Sequence, residues 1–303
     1  MTRVAFLGLG HMGLPMARNL AAAGHEVAGF DVMPAAMAAA AEAGLPTRES
    51  ATACVTDAEV VITMFPSGAH VIAAFAGAEG DGGLLDEAPS GALFLECSTI
   101  SVAEAREAHE LAANAGQRCL DAPVSGGVVG AENGTLAFMV GGADADVETA
   151  RPLLEVMGAR VVHCGGPGLG QAAKVCNNMI LGISQIAVAE AFVLGERLGL
   201  THDALFDVAA HASGQCWALT TNCPVPGPVP TSPANNEYRP GFSGALMAKD
   251  LGLALHAIED TGVEAALGRH AQEIYAAYAA GAGATRDFSG IIESIRVASV
   301  ATD

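Results

Sequence analysis

The first 165 residues alternate between short, mostly apolar runs and longer Ala-rich stretches. Val4-Ala5-Phe6-Leu7, Glu26-Val27-Ala28-Gly29-Phe30, Val60-Val61-Ile62-Thr63-Met64-Phe65 and Ala92-Leu93-Phe94-Leu95-Glu96-Cys97 lack the in-out alternation of a half-exposed strand. Such runs mark parallel strands covered on both faces. Helices are predicted over 103–115, behind a Thr99–Ser101 cap, and over 144–157, with short strands over 137–142 and 160–163. The character then changes. From Gly168 to Leu200 the chain is dominated by Ala, Leu, Ile, Met and Val, uninterrupted by proline, and Gly165, Gly166, Pro167 and Gly168 break it beforehand. One helix of roughly 30 residues, about 45 Å long, is expected. Beyond it the pattern stays helical: 204–212 capped by Thr201, a helix from Ser243, then 265–280 and 288–295. Residues 213–240, rich in Pro, Asn, Thr and Gly around the only tryptophan, Trp217, read as a loop long enough to suspect a functional lid. The pattern predicts an α/β domain over 1–165 with a mostly parallel, doubly wound sheet. An all-α domain over 166–303 follows it, and the long helix joins the two.

Composition narrows the partners. Hydrophobic residues make up 51% of the 303-residue chain, which excludes a disordered polymer. No apolar run free of charge and glycine reaches the ~18 residues of a membrane span, and the first residues enter a strand without a signal-like leader, so a cytoplasmic protein is expected. The formal charge of −19 repels nucleic acid and anionic membranes, and neither is expected as a partner. It also repels a carboxylate substrate at long range, so an anion site needs local donors. The seven cysteines contain no C-x-x-C pair and the nine histidines are scattered, which argues for reduced thiols and no metal site.

Candidate chemistry begins at the first strand. Gly8, Gly10 and Gly13 form G-x-G-x-x-G between a strand and a helix, with His11 and Met12 inside the loop. In that context Gly8 permits the turn, Gly10 the approach of a pyrophosphate, and Gly13 close helix–strand packing, with the phosphates at the helix N-terminus. The second strand ends at Asp31, 18 residues after Gly13, where a carboxylate accepts from ribose hydroxyls and repels a 2′-phosphate. NAD is therefore favoured over NADP. Phe65, Pro66, Ser98 and Thr99 end strands whose C-termini line a ligand crevice in this class of sheet, although Pro and Ser end strands in any fold. Ser125-Gly126-Gly127 reads either as an anion nest of backbone N–H groups or as a plain glycine connection. Lys174 and Asn178, spaced i,i+4, project from one face of the long helix. A surface lysine is the simpler reading. Against it stand the sparse charge of the segment and the helix dipole, which with burial lowers a lysine pKa toward the range of a general base. Lys249-Asp250 reads as an ordinary surface pair or as a functional one.

Taken together, GLGHMGLPMARNL, DAPVSGGVVGAENGTLAFMVGG, GLGQAAKVCNNM and LMAKDLGLA, in this order, resemble the β-hydroxyacid dehydrogenase family over essentially the whole chain. The resemblance implies an N-terminal Rossmann domain, an all-α C-terminal domain and oxidation of a 3-hydroxy acid by NAD or NADP. It implies Lys174 as the catalytic lysine, Asn178 as its amide partner, Ser125, Gly126 and Gly127 as the substrate loop, and Lys249 as a second lysine near nicotinamide and substrate. Cofactor positions fall on Gly8, Gly10, His11, Met12, Gly13, Asp31, Phe65, Pro66 and Thr99. Assembly as a homodimer or homotetramer through the helical domain is implied as well. The chain departs from the family pattern at Asn222-Cys223, where Tyr-Asn is common, and at Phe65, where leucine is common. A reductase of the same family and a non-catalytic NAD-binding scaffold are the competing readings; the intact lysine–amide pair weighs against the scaffold.

Overall fold

Eight strands form one sheet in a computed structural model that describes residues 1–77 and 83–300. They are β1 (Arg3–Leu7), β2 (Glu26–Phe30), β3 (Val60–Thr63), β4 (Leu93–Glu96), β5 (Arg118–Asp121), β6 (Val124–Ser125), β7 (Leu136–Gly141) and β8 (Gly158–Gly165). The order is β2-β1-β3-β4-β5-β7-β6, with β8 on the other side of β7. Pairing from β2 through β5 is parallel. β7 runs antiparallel to β5 and β6 and parallel to β8. The order reverses beside β1, so β1 and β3 leave the sheet in opposite directions and open a crevice at their C-terminal ends.

The apolar runs have the burial their pattern calls for. Along β1, Val4 and Phe6 enter one core with Met16, Leu20, Ile62, Leu95 and Leu154. Ala5 and Leu7 enter the other with Val61, Val71, Phe75, Phe94 and Ala108. Both faces of β1, β3 and β4 are covered, which is why these strands do not alternate, whereas the edge strand β2 does, with Val27 and Gly29 buried and Glu26 exposed.

The chain divides into two compact units, Met1–Lys174 and Val175–Asp303. The strand pattern ends near 165, yet the first unit runs on to Lys174, because the opening residues of the long helix bond to the ends of β4 and β5. That helix spans Leu169–Leu198, behind Gly168 and ahead of Gly199, both in the left-handed region (φ +81° and +87°). By length and composition it could cross a membrane, with a mean hydropathy of 1.5 in its most apolar window. Half of that window is buried within the protein, as in the core helix of a globular fold.

The second unit is helical, with Phe192, Leu219, Val225, Met247, Leu251, Tyr275 and Ile292 in its core. Its helices include His202–Ala210, Gly244–Thr261, Ala266–Ala279 and Ile291–Val300. The stretch 213–240 is more ordered than a loop reading suggests. It holds a short helix, Trp217–Thr220, and a 3₁₀ turn, Pro233–Asn236. Cys223 and Val225 are fully buried, and the Tyr238 hydroxyl donates to the Pro224 carbonyl at 2.9 Å. The buried Asp287 carboxylate accepts from Asn222 Nδ2, the Gly241 and Phe242 N–H groups, and both N–H and hydroxyl of Ser289. Residues 222–240 are thus tied to the C-terminal segment, and in the short helix before them Trp217 is half exposed while Ala218 and Leu219 are buried.

Candidate active site

The loop after β1 depends on its glycines in two different ways. A Cβ on Gly8 would lie 2.2 Å from the Met64 carbonyl oxygen, and one on Gly13 would lie 1.9 Å from the Gly8 carbonyl oxygen. Both positions are closed by backbone. A Cβ on Gly10 would meet nothing within 4 Å. The helix Gly13–Ala22 starts at Met12 with no side-chain cap, leaving its first N–H groups without a side-chain acceptor. At the end of β2, Asp31 Oδ2 accepts from the Leu9 N–H at 2.7 Å and Oδ1 from the Met33 N–H at 2.8 Å. The carboxylate therefore fixes the glycine loop while part of it stays exposed. An open glycine, an uncapped helix start and a carboxylate beside them fit a pyrophosphate and its adenosine ribose.

The crevice continues along β3 and β4. Ser98 Oγ accepts from the Phe65 N–H at 2.7 Å, and the Ser98 N–H donates to Glu96 Oε1 at 2.7 Å. Phe65, Pro66 and Thr99 sit on the turns that these bonds hold. Farther along, Ser125 ends β6, and Gly126 and Gly127 follow with φ of +134° and +63°. Consecutive left-handed residues bend the chain so that successive N–H groups can converge, which only glycine adopts readily. A seven-residue helix, Gly127–Asn133, begins there, so the stretch is not a plain connection between strands.

On the long helix Lys174 is 6% and Asn178 2% exposed, so the lysine is no surface charge. Asn178 Nδ2 donates to Asp250 Oδ2 at 2.5 Å, and Asn178 Oδ1 accepts from Asn177 Nδ2 at 3.1 Å. The second Nδ2–H of Asn178 has no acceptor among the described residues. Asp250 is itself buried and lies 3.6 Å from Lys249 Nζ. Lys249-Asp250 is thus part of a buried polar cluster, and Asp250 is a site residue that spacing alone did not single out. One signal was available: the chain has two lysines, Lys174 and Lys249, against twelve arginines. Its other ion pairs use arginine, as in Arg118–Asp146, Arg151–Glu148 and Arg296–Glu196, or histidine, as in His202–Glu196.

Comparison with known proteins agrees with this arrangement. Residues 3–166 match the family model described as the NAD binding domain of 6-phosphogluconate dehydrogenase. Residues 168–295 match the one described as NAD-binding of NADP-dependent 3-hydroxyisobutyrate dehydrogenase. A probable 3-hydroxyisobutyrate dehydrogenase of Mycobacterium tuberculosis is 55% identical over 98% of both chains. An NAD-dependent L-serine dehydrogenase of Pseudomonas aeruginosa is 44% identical, over 95% of this chain and 96% of that protein. A solved structure of Mycobacterium tuberculosis 3-hydroxyisobutyrate dehydrogenase with L-serine superposes with a TM-score of 0.92 at 55% identity, covering 98% of this chain and 99% of that one. The nucleotide loop, the buried lysine–amide pair and whole-length likeness converge: the chain belongs to the β-hydroxyacid dehydrogenase family and is an NAD-dependent enzyme of that family.

Proposed function

We propose that the enzyme oxidises 3-hydroxyisobutyrate to methylmalonate semialdehyde, a step of valine breakdown, with Lys174 as the proton carrier. The observation that carries this reading is the burial of Lys174 one helical turn from an oriented Asn178, in a chain that otherwise avoids lysine. Bound NAD supplies the hydride acceptor. The N–H groups at Ser125, Gly126 and Gly127 hold the substrate carboxylate, with the Ser125 hydroxyl beside them. Neutral Lys174 accepts the hydroxyl proton as the carbonyl forms. Asp250 and Asn177 fix the Asn178 amide, whose remaining N–H orients the substrate oxygen. Lys249, beside Asp250, steadies the nicotinamide ribose or offsets substrate charge. Gly8, Gly10, His11, Met12, Gly13, Phe65, Pro66 and Thr99 line the cofactor, and Asp31 selects NAD by repelling a 2′-phosphate. Residues 1–165 serve nucleotide binding, and 166–303 serve substrate binding and assembly into a homodimer or homotetramer.

L-Serine is the second candidate substrate, favoured by the name of the 44% identical relative and by the ligand of the superposed structure. Initial rates of NADH formation on 3-hydroxyisobutyrate, L-serine, 3-hydroxypropionate and glycerate rank the substrates. Loss of a general base costs roughly 10² to 10⁴ in rate. A Lys174→Ala enzyme retaining more than about a tenth of wild-type kcat contradicts the assignment of Lys174.

A further inference from the structure

We infer that Asp121 is a positioning residue for Lys174, fixing both where the long helix begins and the charge its lysine feels. The inference gives Asp121 a catalytic purpose only if Lys174 carries the proton, as proposed above.

Asp121 ends β5 and is 1% exposed. Its Oδ1 accepts from the Gly168 N–H at 2.8 Å and bonds His109 Nε2 at 2.9 Å, and its Oδ2 accepts from the Gln171 N–H at 2.9 Å. The N–H groups at a helix start ordinarily go to a cap in the same segment or to water. Here a strand 50 residues earlier in sequence supplies the acceptor. The surrounding backbone leaves room for it: a Cβ on Gly141 would come within 2.5 Å of Asp121 Oδ1, and one on Gly170 within 2.8 Å of Oδ2.

Gln171 makes the second attachment. Its side chain is fully buried, donates to the Ser98 carbonyl at 2.7 Å and accepts from the Ile100 N–H at 3.3 Å. The first helical turn is therefore bonded to the chain ends of both β4 and β5. Lys174 follows Gln171 by three residues, one turn on.

The charge has its own effect. The positive end of a helix favours the neutral amine, whereas a buried carboxylate at that same end favours the ammonium. Asp121 offsets the dipole and keeps Lys174 a stronger base than its place on the helix alone allows. Other charged groups beside these turns are His109 and Arg106 on the helix Val102–Asn114 and Glu96 on β4, and beyond Lys174 Asn178 bonds Asp250, which pairs with Lys249. All of them remain when Asp121 alone is changed, so the difference between variants reports Asp121.

Two lysines make the measurement direct. In full-length protein carrying ¹³C-lysine, the Cε resonances of Lys174 and Lys249 are told apart by Lys249→Arg and titrated with pH. Unit charges roughly 10 Å apart at an effective dielectric constant of about 20 interact by about one pH unit. Asp121→Asn should lower the Lys174 midpoint by on the order of one unit, leave Lys249 in place, and move the acidic limb of kcat/KM down with Lys174. Asp121→Ser, which removes the charge but keeps a capping hydroxyl, should do the same and covers the case of a poorly folding Asn variant. If His109→Gln, which keeps a donor but no titratable ring, shifts Lys174 as far as Asp121→Asn does, the imidazole and not the carboxylate sets the charge. An unmoved Lys174 midpoint in both Asp121 variants, or failure of both to fold, makes Asp121 a structural cap only. A shifted midpoint in a protein whose Lys174→Ala variant stays active upholds Asp121 as the group that sets the lysine and removes the catalytic reading instead.

Discussion

Gly10 and Gly13 lie three residues apart in one loop, and replacing each by alanine should give opposite signatures. A Cβ on Gly13 would sit 1.9 Å from the Gly8 carbonyl oxygen, more than 1 Å inside the closest distance real Cβ atoms tolerate, and 2.9 Å from the Phe6 ring. Both neighbours are rigid: one is backbone and the other belongs to a fully buried side chain. Relief requires the helix Gly13–Ala22 to move off β1, where Met16, Ala17 and Leu20 are wholly buried. Overpacking of this kind costs about 1–3 kcal/mol or more, so Gly13→Ala should lower the apo melting temperature by several degrees. Gly10 has no positive φ, and its Cβ would meet nothing within 4 Å. The folded protein should accept Gly10→Ala, with a gain of up to about 1 kcal/mol from the stiffer unfolded chain. The methyl group does, however, fill the space a pyrophosphate needs. Losing one or two charge-assisted N–H contacts, each worth about 1.5–3 kcal/mol, weakens NAD at least tenfold. Differential scanning fluorimetry without cofactor, paired with calorimetric titration of NAD, reads both. A Gly10→Ala protein that melts well below wild type, or binds NAD as tightly as wild type, refutes this account of the loop.

Asp31→Ser should raise KM for NAD and lower it for NADP, changing the ratio of kcat/KM for the two cofactors at least tenfold; an unchanged ratio counts against Asp31 as the selector. Glu196 joins Arg296 and His202, and the hydrogen bond from Arg296, followed by that from His202, holds its carboxyl below the usual carboxylate value. A lowered folded pKa means that this contribution is present above the unfolded value and is lost as pH falls through the folded one. Glu196→Gln should thus be less stable near neutrality, by no more than about 1 kcal/mol given its partial exposure, and should show a flatter loss of melting temperature on acidification below about pH 4.5. Among the thiols, burial pushes Cys54 up to about 11 and Cys97 and Cys119 well above the ordinary range, whereas Cys176 is exposed. Native protein should show Cys176 reacting first with a thiol reagent at pH 8, and Cys176→Ser should remove that phase.

The elements with a strong local signature were legible from the chain alone. β1, β3 and β4 are largely apolar runs, the nucleotide loop is spelled by three glycines, and the long helix is a mostly apolar, proline-free stretch between glycine stops. What escaped was set by contacts distant in sequence. The helix Gly127–Asn133 lies in a glycine-rich stretch that disfavours helix, and no periodicity announces that Asp250 would bind Asn178 across 72 residues. For Lys249-Asp250 a surface pair and a functional pair stood level, because the burial of Asp250 does not show in a dipeptide. Residues 222–240 carry the composition of a loose loop, and the feature that ties them down, Asp287, lies 65 residues beyond Asn222. The acceptor at the start of the long helix, Asp121, likewise comes from a strand 50 residues earlier, which no local pattern announces.

The scarcity of lysine has a consequence outside catalysis. Most proteins spread their primary amines over the surface, so reactive acyl donors such as thioesters and acyl phosphates are spent on many harmless positions. This surface offers the exposed N-terminus and the partly exposed Lys249, while Lys174 is almost wholly enclosed. Amine-directed labelling, immobilisation or adventitious acylation therefore has one accessible side chain to strike, and that side chain adjoins the polar cluster around Asn178. The protein carries almost no decoys.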